Sequence, residues 1–308
     1  MVSILNSVVP IFAVIALGNL LRRFQVIDDT FIAVSDRLIY YIFFPALLFW
    51  KIGKPAAGAT IETRLIFAVL CAVLIVFVMS LIYVKLVGMP DYAVGSFAQG
   101  SFRFSTYIGM AVMLADLGED GLRQFGVLIG FVIPFINVLA VTILIWFSGE
   151  SYAWPRKAAM LVKATLLNPF IAACMLGILY SKLNTPFPVF VDNALGLVSL
   201  AALPLALVSI GGSLTLTKLQ GHLKYASAAA MFKLVILPVV GYFCLQLFGV
   251  SGMPFKIAMI FFALPTSPAS YILSAQLNSD VDLATAAIVV STLLSIGSLS
   301  ATLIVYGG

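Results

Sequence analysis

Charged residues are scarce in this chain: Asp, Glu, Lys and Arg make up only 9% of its 308 residues. A water-soluble domain carries about a quarter charged residues, because its surface must be solvated. Here 62% of the residues are hydrophobic, and the mean hydropathy is +1.14. The chain is therefore predicted to be an integral membrane protein embedded in the lipid bilayer. Its net charge of +5 is ascribed to membrane topology, so no nucleic-acid partner is expected.

Cysteine and histidine are also rare. Cys71, Cys174 and Cys244 each lie in an apolar segment and have neither a disulfide spacing nor a metal-binding spacing. His222 is the only histidine, which excludes a His-based metal site or catalytic triad. No nucleophile–base pair is visible either. The sequence therefore predicts a protein that is not an enzyme, with no catalytic residues, no metal site and no cofactor.

Long apolar segments fill the chain instead. Ten of them have about 20 residues, the length of a transmembrane helix. They lie at 4–21, 31–50, 64–86, 94–115, 122–147, 158–180, 188–213, 225–248, 255–277 and 283–306. Five fall in residues 1–149 and five in 150–308. Because each half has an odd number of spans, the second half must enter from the opposite face. The predicted fold is all-α, with ten transmembrane helices in two inverted five-helix repeats.

Prolines and glycines recur between the halves. The pairs 159 residues apart are Pro10 and Pro169, Gly18 and Gly177, and Pro45 and Pro204. Further on, Met89–Ile108 resembles Met253–Ile272, now 164 residues later, a drift that one loop insertion would produce. Matched Pro and Gly in corresponding apolar segments indicate a transporter built from internal repeats.

Lysine and arginine orient the chain in the membrane. With the N-terminus outside, eight of them fall in inner loops: Arg22, Arg23, Lys85, Arg156, Lys157, Lys163, Lys218 and Lys224. Six fall in outer loops: Lys51, Lys54, Arg64, Arg123, Lys182 and Lys256. Since inner loops carry the excess of positive charge, the prediction is a multi-pass protein of the inner (plasma) membrane with both termini outside.

Two of the predicted spans contain helix-breaking residues. The fourth has Gly100 and Ser101, and the ninth has Pro265 and Pro268, each of which removes a backbone donor and clashes with the preceding turn. Unwound backbone at membrane depth persists only where protein or a watery cavity satisfies it. The fourth and ninth helices are therefore predicted to be broken and to cross near the midplane, where their N-termini would attract an anion. Two kinked helices that merely pack together are the alternative.

Arg103 lies near the middle of the fourth span. A guanidinium there costs about 2.5–3.5 kcal/mol on insertion scales, so it should face a cavity or a partner, and its planar fork suits a carboxylate. The alternative is an arginine that only holds the crossing together through backbone carbonyls. The predicted substrate-binding residues are Arg103 and the hydroxyl-bearing residues of both breaks, which can cap helix ends, bind substrate or both. The hydroxyl-bearing residues are Ser105, Thr106, Tyr107, Thr266, Ser267, Ser270 and Tyr271.

Side chains for ion coupling are few. Gln99, Gln276 and Asn137 form no evident sodium site, and the spans have almost no carboxylate for a proton. Asp280 and Asp282 border the last two spans and could titrate there. The coupling ion is left open between a proton and sodium.

Several segments resemble the auxin efflux carrier family, whose bacterial members are often described as malonate or malate transporters and are related to the PIN-type auxin carriers. They are Ile39–Phe49, Phe102–Ala111, Leu166–Tyr180, Leu203–Leu214 and Ala263–Asp280. The resemblance implies crossed fourth and ninth helices, with a scaffold bundle and a transport bundle that each draw on both repeats. Ser105 stands where many members have asparagine and Ala111 where some have proline, which places more weight on Arg103.

The predicted function is secondary transport of small organic anions, such as malonate, malate or auxin-like acids. The resemblance implies an elevator-like movement, with the substrate at the crossing. The alternatives are a sodium-coupled organic-anion symporter of the bile-acid type and a membrane receptor that binds an anion without moving it. A homodimer is left open.

Overall fold

The computed structural model of the protein describes residues 8–54, 62–148, 168–214 and 221–306. Helices are the only regular elements in those ranges, which confirms the all-α prediction. They are α1 Val9–Arg23, α2 Asp29–Gly53, α3 Thr63–Val87, α4 Asp91–Phe102, α5 Thr106–Phe147, α6 Pro169–Ser181, α7 Val189–Ser213, α8 Leu223–Leu247, α9 Gly252–Ala263, α10 Ala269–Gln276 and α11 Val281–Tyr306.

Six helical stretches in the described ranges are long and apolar enough to cross a membrane: α2, α3, Asp91–Phe147, α7, α8 and α11. The number is smaller than the ten spans predicted. The fourth and fifth predicted spans share one stretch, while the ninth is divided into the short helices α9 and α10. Residues 4–7 and 158–167 of the first and sixth predicted spans lie outside the described residues, as do Arg156, Lys157, Lys163 and Lys218.

A glycine interrupts α5. Gly118 has φ = 64°, a left-handed conformation that a residue without Cβ adopts at no steric cost. The interruption lies between the predicted fourth and fifth spans, so the helix direction can change there without a loop.

The helices form two compact units. Unit 1 comprises Met1–Glu62, Met110–Phe131 and Leu166–Leu214, and unit 2 comprises Thr63–Gly109, Val132–Thr165 and Thr215–Gly308. Each unit thus contains segments of both sequence halves. The division into repeats at 1–149 and 150–308 stays a prediction about internal symmetry.

In unit 1, α1 and α7 touch backbone to backbone at two glycines. A Cβ added to Gly18 would overlap the carbonyl group of Val208, and one added to Gly211 would overlap that of Ile15. The close approach lets Asn19 Nδ2 donate to the Gly211 carbonyl oxygen at 3.3 Å. Small residues at such a crossing allow close van der Waals packing and short polar contacts, which hold membrane helices together.

Helices α2 and α8 each contain one turn of π-helix, at Ile39–Phe43 and Phe232–Ile236. A proline, Pro45 or Pro238, follows two residues after each turn. Proline lacks an N–H, and its ring clashes with the carbonyl four residues earlier, so the preceding turn widens. Both helices continue through their proline, unlike the chain around Pro265.

Candidate functional site

The first helix break lies in unit 2, between α4 and α5. Helix α4 ends at Phe102, and the extended residues Arg103–Ser105 lead to the start of α5 at Thr106. Gly100 and Ser101, which the sequence assigned to the break, lie in the last turn of α4. The Ser101 hydroxyl donates to the Phe97 carbonyl one turn back, and a Cβ on Gly100 would press on α8 and α11, so these residues serve helix geometry and packing.

The second break, Leu264–Pro268, separates α9 from α10. Leu264 has φ = −66° and ψ = 146°, because a residue before proline is pushed out of the helical region. Pro265 therefore lies inside the break. Pro268 instead precedes the first residue of α10 and has φ = −55°, close to the helical value.

The two breaks are hydrogen-bonded to each other. The Ser105 N–H donates to the Pro265 carbonyl oxygen at 2.8 Å, and Thr266 Oγ1 donates to the Gly100 carbonyl oxygen at 2.8 Å. The Thr266 N–H donates to Ser291 Oγ of α11 at 3.1 Å. Backbone groups that the breaks release thus find partners within unit 2, as unwound backbone in a membrane requires.

Two cationic side chains are buried near the breaks. Arg103, the first residue after α4, is 7% exposed, and its N–H donates to the Gln99 carbonyl oxygen at 3.0 Å. Lys233, in the π-turn of α8, is 0% exposed, and its Nζ donates to the Phe262 carbonyl oxygen at 2.9 Å. Lys233 therefore compensates the negative end of α9.

Two of the hydroxyls in the breaks cap the starts of helices. Ser105 Oγ accepts from the Ile108 N–H at 3.5 Å at the start of α5, and Ser267 Oγ accepts from the Ala269 N–H at 3.3 Å at the start of α10. Thr106 is buried in the first turn of α5. Of the two roles left open for these hydroxyls, capping is visible for Ser105 and Ser267.

The two tyrosines are not equivalent. Tyr107 is half-buried, whereas Tyr271 is 44% exposed on α10. Both were predicted from the sequence to bind substrate. In the structure, the ring of Tyr271 lies on the surface of unit 2.

A polar cluster between α4 and α10 was not predicted from the sequence. Ser96 Oγ donates to Ser274 Oγ at 2.8 Å and lies 2.9 Å from Ser279 Oγ, and Gln99 Nε2 donates to Ser274 Oγ at 3.2 Å. The available signal was spacing: residues 96 and 99, and residues 270 and 274, lie on single helix faces in otherwise apolar segments.

Metal ligands do not gather in the part of the chain that the structure describes: it holds no group of three His, Cys, Asp or Glu side chains. His222 Nδ1 lies 3.5 Å from Asp280 Oδ2, which is a pair and not a metal-binding set. The groups that the described part of the site offers to a ligand are therefore hydrogen-bonding groups, helix ends and the Arg103 guanidinium.

Comparisons with known proteins agree with this membrane architecture. Residues 155–303 match the family model described as "Membrane transport protein". An uncharacterized transporter of Methanocaldococcus jannaschii is 21% identical over 299 residues, or 95% of both chains. The "Putative malonate transporter" of Rhizobium meliloti is 24% identical over 311 residues, or 98% of this chain and 96% of that protein. An uncharacterized transporter of Methanothermobacter thermautotrophicus is 21% identical over 298 residues, or 96% and 95%.

The relatives align over nearly their whole length, so the similarity covers both units. Transport is their common description, and the several long apolar helices make this chain a multi-pass membrane protein. The family resemblance found in the sequence is therefore confirmed. Over residues 155–303 the chain is thus similar to the membrane transport protein family, the family of auxin efflux carrier-like transporters.

Proposed function

We propose that this protein is a secondary transporter of small organic anions, which it binds where its two helix breaks meet. The observation that carries the proposal is the position of Arg103, buried in one of two breaks that are hydrogen-bonded to each other. A guanidinium in the middle of an apolar membrane span costs free energy to bury, and such residues typically mark a substrate or ion pathway. A negatively charged substrate offsets that cost.

The substrate carboxylate would be held by Arg103 and by the start of two helices. Helices α5 and α10 begin at Thr106 and Ala269, directly after the breaks, and their N-terminal ends carry partial positive charge. The guanidinium presents paired donors in a plane, which match the two oxygens of a carboxylate. Thr266 would then fix the crossing, because its hydroxyl is already bonded to Gly100.

For the membrane arrangement we propose ten spans in two inverted repeats, with both termini outside the inner membrane. Each predicted span overlaps a helix of the described ranges. The breaks at Arg103–Ser105 and Leu264–Pro268 fall in the fourth and ninth predicted spans, which are the corresponding spans of the two halves. This supports the symmetry on which the inverted topology depends.

For transport we propose an elevator-like movement in which unit 2 carries the substrate and unit 1 acts as the scaffold. Both breaks and Arg103 belong to unit 2, so the binding residues would move as one body. Dicarboxylates of the malonate size are the first substrates to test, since a relative from Rhizobium meliloti is named for malonate.

The test is uptake of radiolabelled malonate into proteoliposomes, with malate and an auxin-like monocarboxylate as further substrates. Arg103→Ala should weaken binding by about 10- to 150-fold, because a hydrogen bond to a charged group contributes about 1.5–3 kcal/mol. Arg103→Lys keeps the charge but not the planar fork, so its affinity should lie between the two. The matched control is Arg37→Ala, which removes an exposed arginine of unit 1.

Three results would contradict parts of this proposal. Equal malonate affinity in Arg103→Ala and the unchanged protein would remove Arg103 from the site. Binding of malonate without uptake would indicate a receptor. Uptake that requires a sodium gradient would favour the symporter of the bile-acid type.

A further inference from the structure

The C-terminal end of α9 has lost the backbone donors that would continue the helix. In an unbroken helix the Phe262 carbonyl oxygen would accept from the Thr266 N–H. Here the Thr266 N–H donates instead to Ser291 Oγ of α11, at 3.1 Å. The Ala263 carbonyl oxygen, one residue further on, accepts from Ser298 Oγ of α11 at 2.8 Å. Helix α9 thus ends in carbonyl oxygens whose partners come from other helices of unit 2.

The partner of the Phe262 carbonyl oxygen is a buried ammonium group. Lys233 extends from the π-turn of α8, its Nζ donates to that oxygen at 2.9 Å, and the residue is 0% exposed. The centroid of the Phe261 ring lies 5.8 Å from Nζ, within the range of a cation–π contact. No carboxylate of the described residues forms an ion pair with Lys233. Its positive charge therefore faces a carbonyl oxygen, an aromatic ring and the negative end of α9.

A hydrogen bond alone does not explain why this partner is a lysine. The neutral Ser298 hydroxyl satisfies the Ala263 carbonyl oxygen at the same helix end. Burying an ammonium group in an apolar span costs far more free energy than burying a hydroxyl, so it is expected only where the charge itself is needed. In carriers with broken helices, the C-terminal ends of half-helices and unwound carbonyls are the groups that coordinate a cation. The end of α9 therefore has the chemistry of a cation site.

We propose that the C-terminal end of α9 is a monovalent-cation site whose cation is the Lys233 ammonium group. The role of this charge in transport rests on the proposed function, because the same helix end leads into the break at Leu264–Pro268. The covalently attached ammonium would hold that break in its binding geometry, as a bound sodium ion does in a sodium-coupled carrier. The unchanged protein should then need no sodium ion at its second break.

The experiment shortens Lys233 and supplies its ammonium group in solution. Lys233→Ala removes three carbons and the ammonium group, which together have the size and charge of propylammonium. Titration with propylammonium should raise the unfolding midpoint of Lys233→Ala in detergent by roughly 5–11 °C at about a hundred times its dissociation constant. The uncharged analogue 1-propanol has the same number of heavy atoms and should not raise the midpoint, because it cannot replace the charge at the helix end.

Two matched variants show whether the effect belongs to the vacated position. Lys233→Met fills the same space with an uncharged side chain, and Lys85→Ala removes an exposed lysine of α3 in the same unit. Propylammonium should stabilise neither of them. In proteoliposomes, the unchanged protein should take up malonate equally in sodium and in N-methylglucamine media. Lys233→Ala should lose about tenfold or more of this uptake, as expected for a lost hydrogen bond to a charged group, and regain it with propylammonium.

Several outcomes would overturn the cation site. One is no stabilisation of Lys233→Ala by propylammonium, or the same stabilisation by 1-propanol, which would mean that only volume was lost. Another is equal stabilisation of Lys233→Ala and Lys233→Met, which would indicate binding elsewhere. A third is malonate uptake by the unchanged protein that requires sodium, which would mean that Lys233 does not replace the ion.

Folding of the variants does not remove the test. Recovery of Lys233→Ala only when propylammonium is present during purification would support the site. If Lys233→Ala is not recovered at all, Lys233→Met decides, because wild-type malonate uptake in that variant would show that no charge is needed at the end of α9. If the unchanged protein takes up no carboxylate, the proposed function fails, and the thermal comparison still decides on the cation site.

Discussion

The close contact between α1 and α7 can be tested by adding one methyl group. In Gly211→Ala, the new Cβ would lie 2.8 Å from the Ile15 carbonyl carbon and 3.0 Å from the Asn19 backbone nitrogen, where ordinary contact is 3.4–4 Å. The obstacle is helix backbone, which cannot rotate away as a side chain can. The helices must therefore separate, and the contact from Asn19 Nδ2 to the Gly211 carbonyl, already at 3.3 Å, must stretch.

The expected loss in the free energy of unfolding is the sum of opposing contributions. Overpacking costs about 1–3 kcal/mol. A further loss of about 0.5–1.5 kcal/mol is expected for each stretched hydrogen bond, namely those of Asn19 and the nearby bond from Arg22 Nη1 to the Gly212 carbonyl oxygen. Alanine returns about 1 kcal/mol through its higher helix propensity. The balance is a destabilisation of about 1.5–6.5 kcal/mol, to which the steric overlap and the stretched hydrogen bonds both contribute.

The assay is thermal unfolding in detergent, followed by the amount of monodisperse protein after heating. At about 2–4 °C per kcal/mol, Gly211→Ala should lower the midpoint by at least about 3 °C. The matched control is Gly297→Ala in α11, where an added Cβ meets nothing within 4 Å and the midpoint should stay or rise. Equal midpoints for the two variants would refute the backbone contact between α1 and α7.

Two further results are expected. Thr266→Val removes the hydroxyl that donates to the Gly100 carbonyl oxygen but keeps the side-chain volume, so it should lower both the unfolding midpoint and malonate uptake. Thr266→Ser keeps the hydroxyl and should keep both the midpoint and uptake. Wild-type uptake in Thr266→Val would show that this hydrogen bond does not hold the crossing. The pair Lys51 and Glu119 has an Nζ–Oε2 distance of 2.6 Å but an exposed carboxylate, so a double-mutant cycle should give a coupling below about 1 kcal/mol that falls with salt. A larger, salt-independent coupling would mean that the pair is shielded.

Much of the helical architecture could be predicted, because hydropathy and proline act locally. Pro265 is an example: its missing N–H and its effect on Leu264 depend only on neighbouring residues. The other break was located a few residues too early. Gly100 and Ser101 resemble break residues in sequence, but the space that a glycine fills depends on α8 and α11, which are distant in the chain.

The candidate site depends on such distant pairings. Gln99 and Ser274 are 175 residues apart, and no spacing rule connects them. Lys233 is similar, because its partner, the Phe262 carbonyl oxygen at the end of α9, is 29 residues away in the chain. The same limit applies to Tyr271, which was predicted to bind substrate, because the sequence does not reveal how exposed its ring is.

The π-turns of α2 and α8 change how these helices can be aligned and redesigned. A π-turn accommodates one residue more than an α-turn, so it shifts the following side chains by about 100° around the helix axis. If the apolar face of Leu223–Leu247 is located with a single 3.6-residue period, the residues either before or after Phe232–Ile236 are therefore placed on the wrong face of the helix. For the same reason, deleting one residue inside that turn would not simply shorten the helix. It would rotate Lys233 relative to the Phe262 carbonyl, or rotate everything after it.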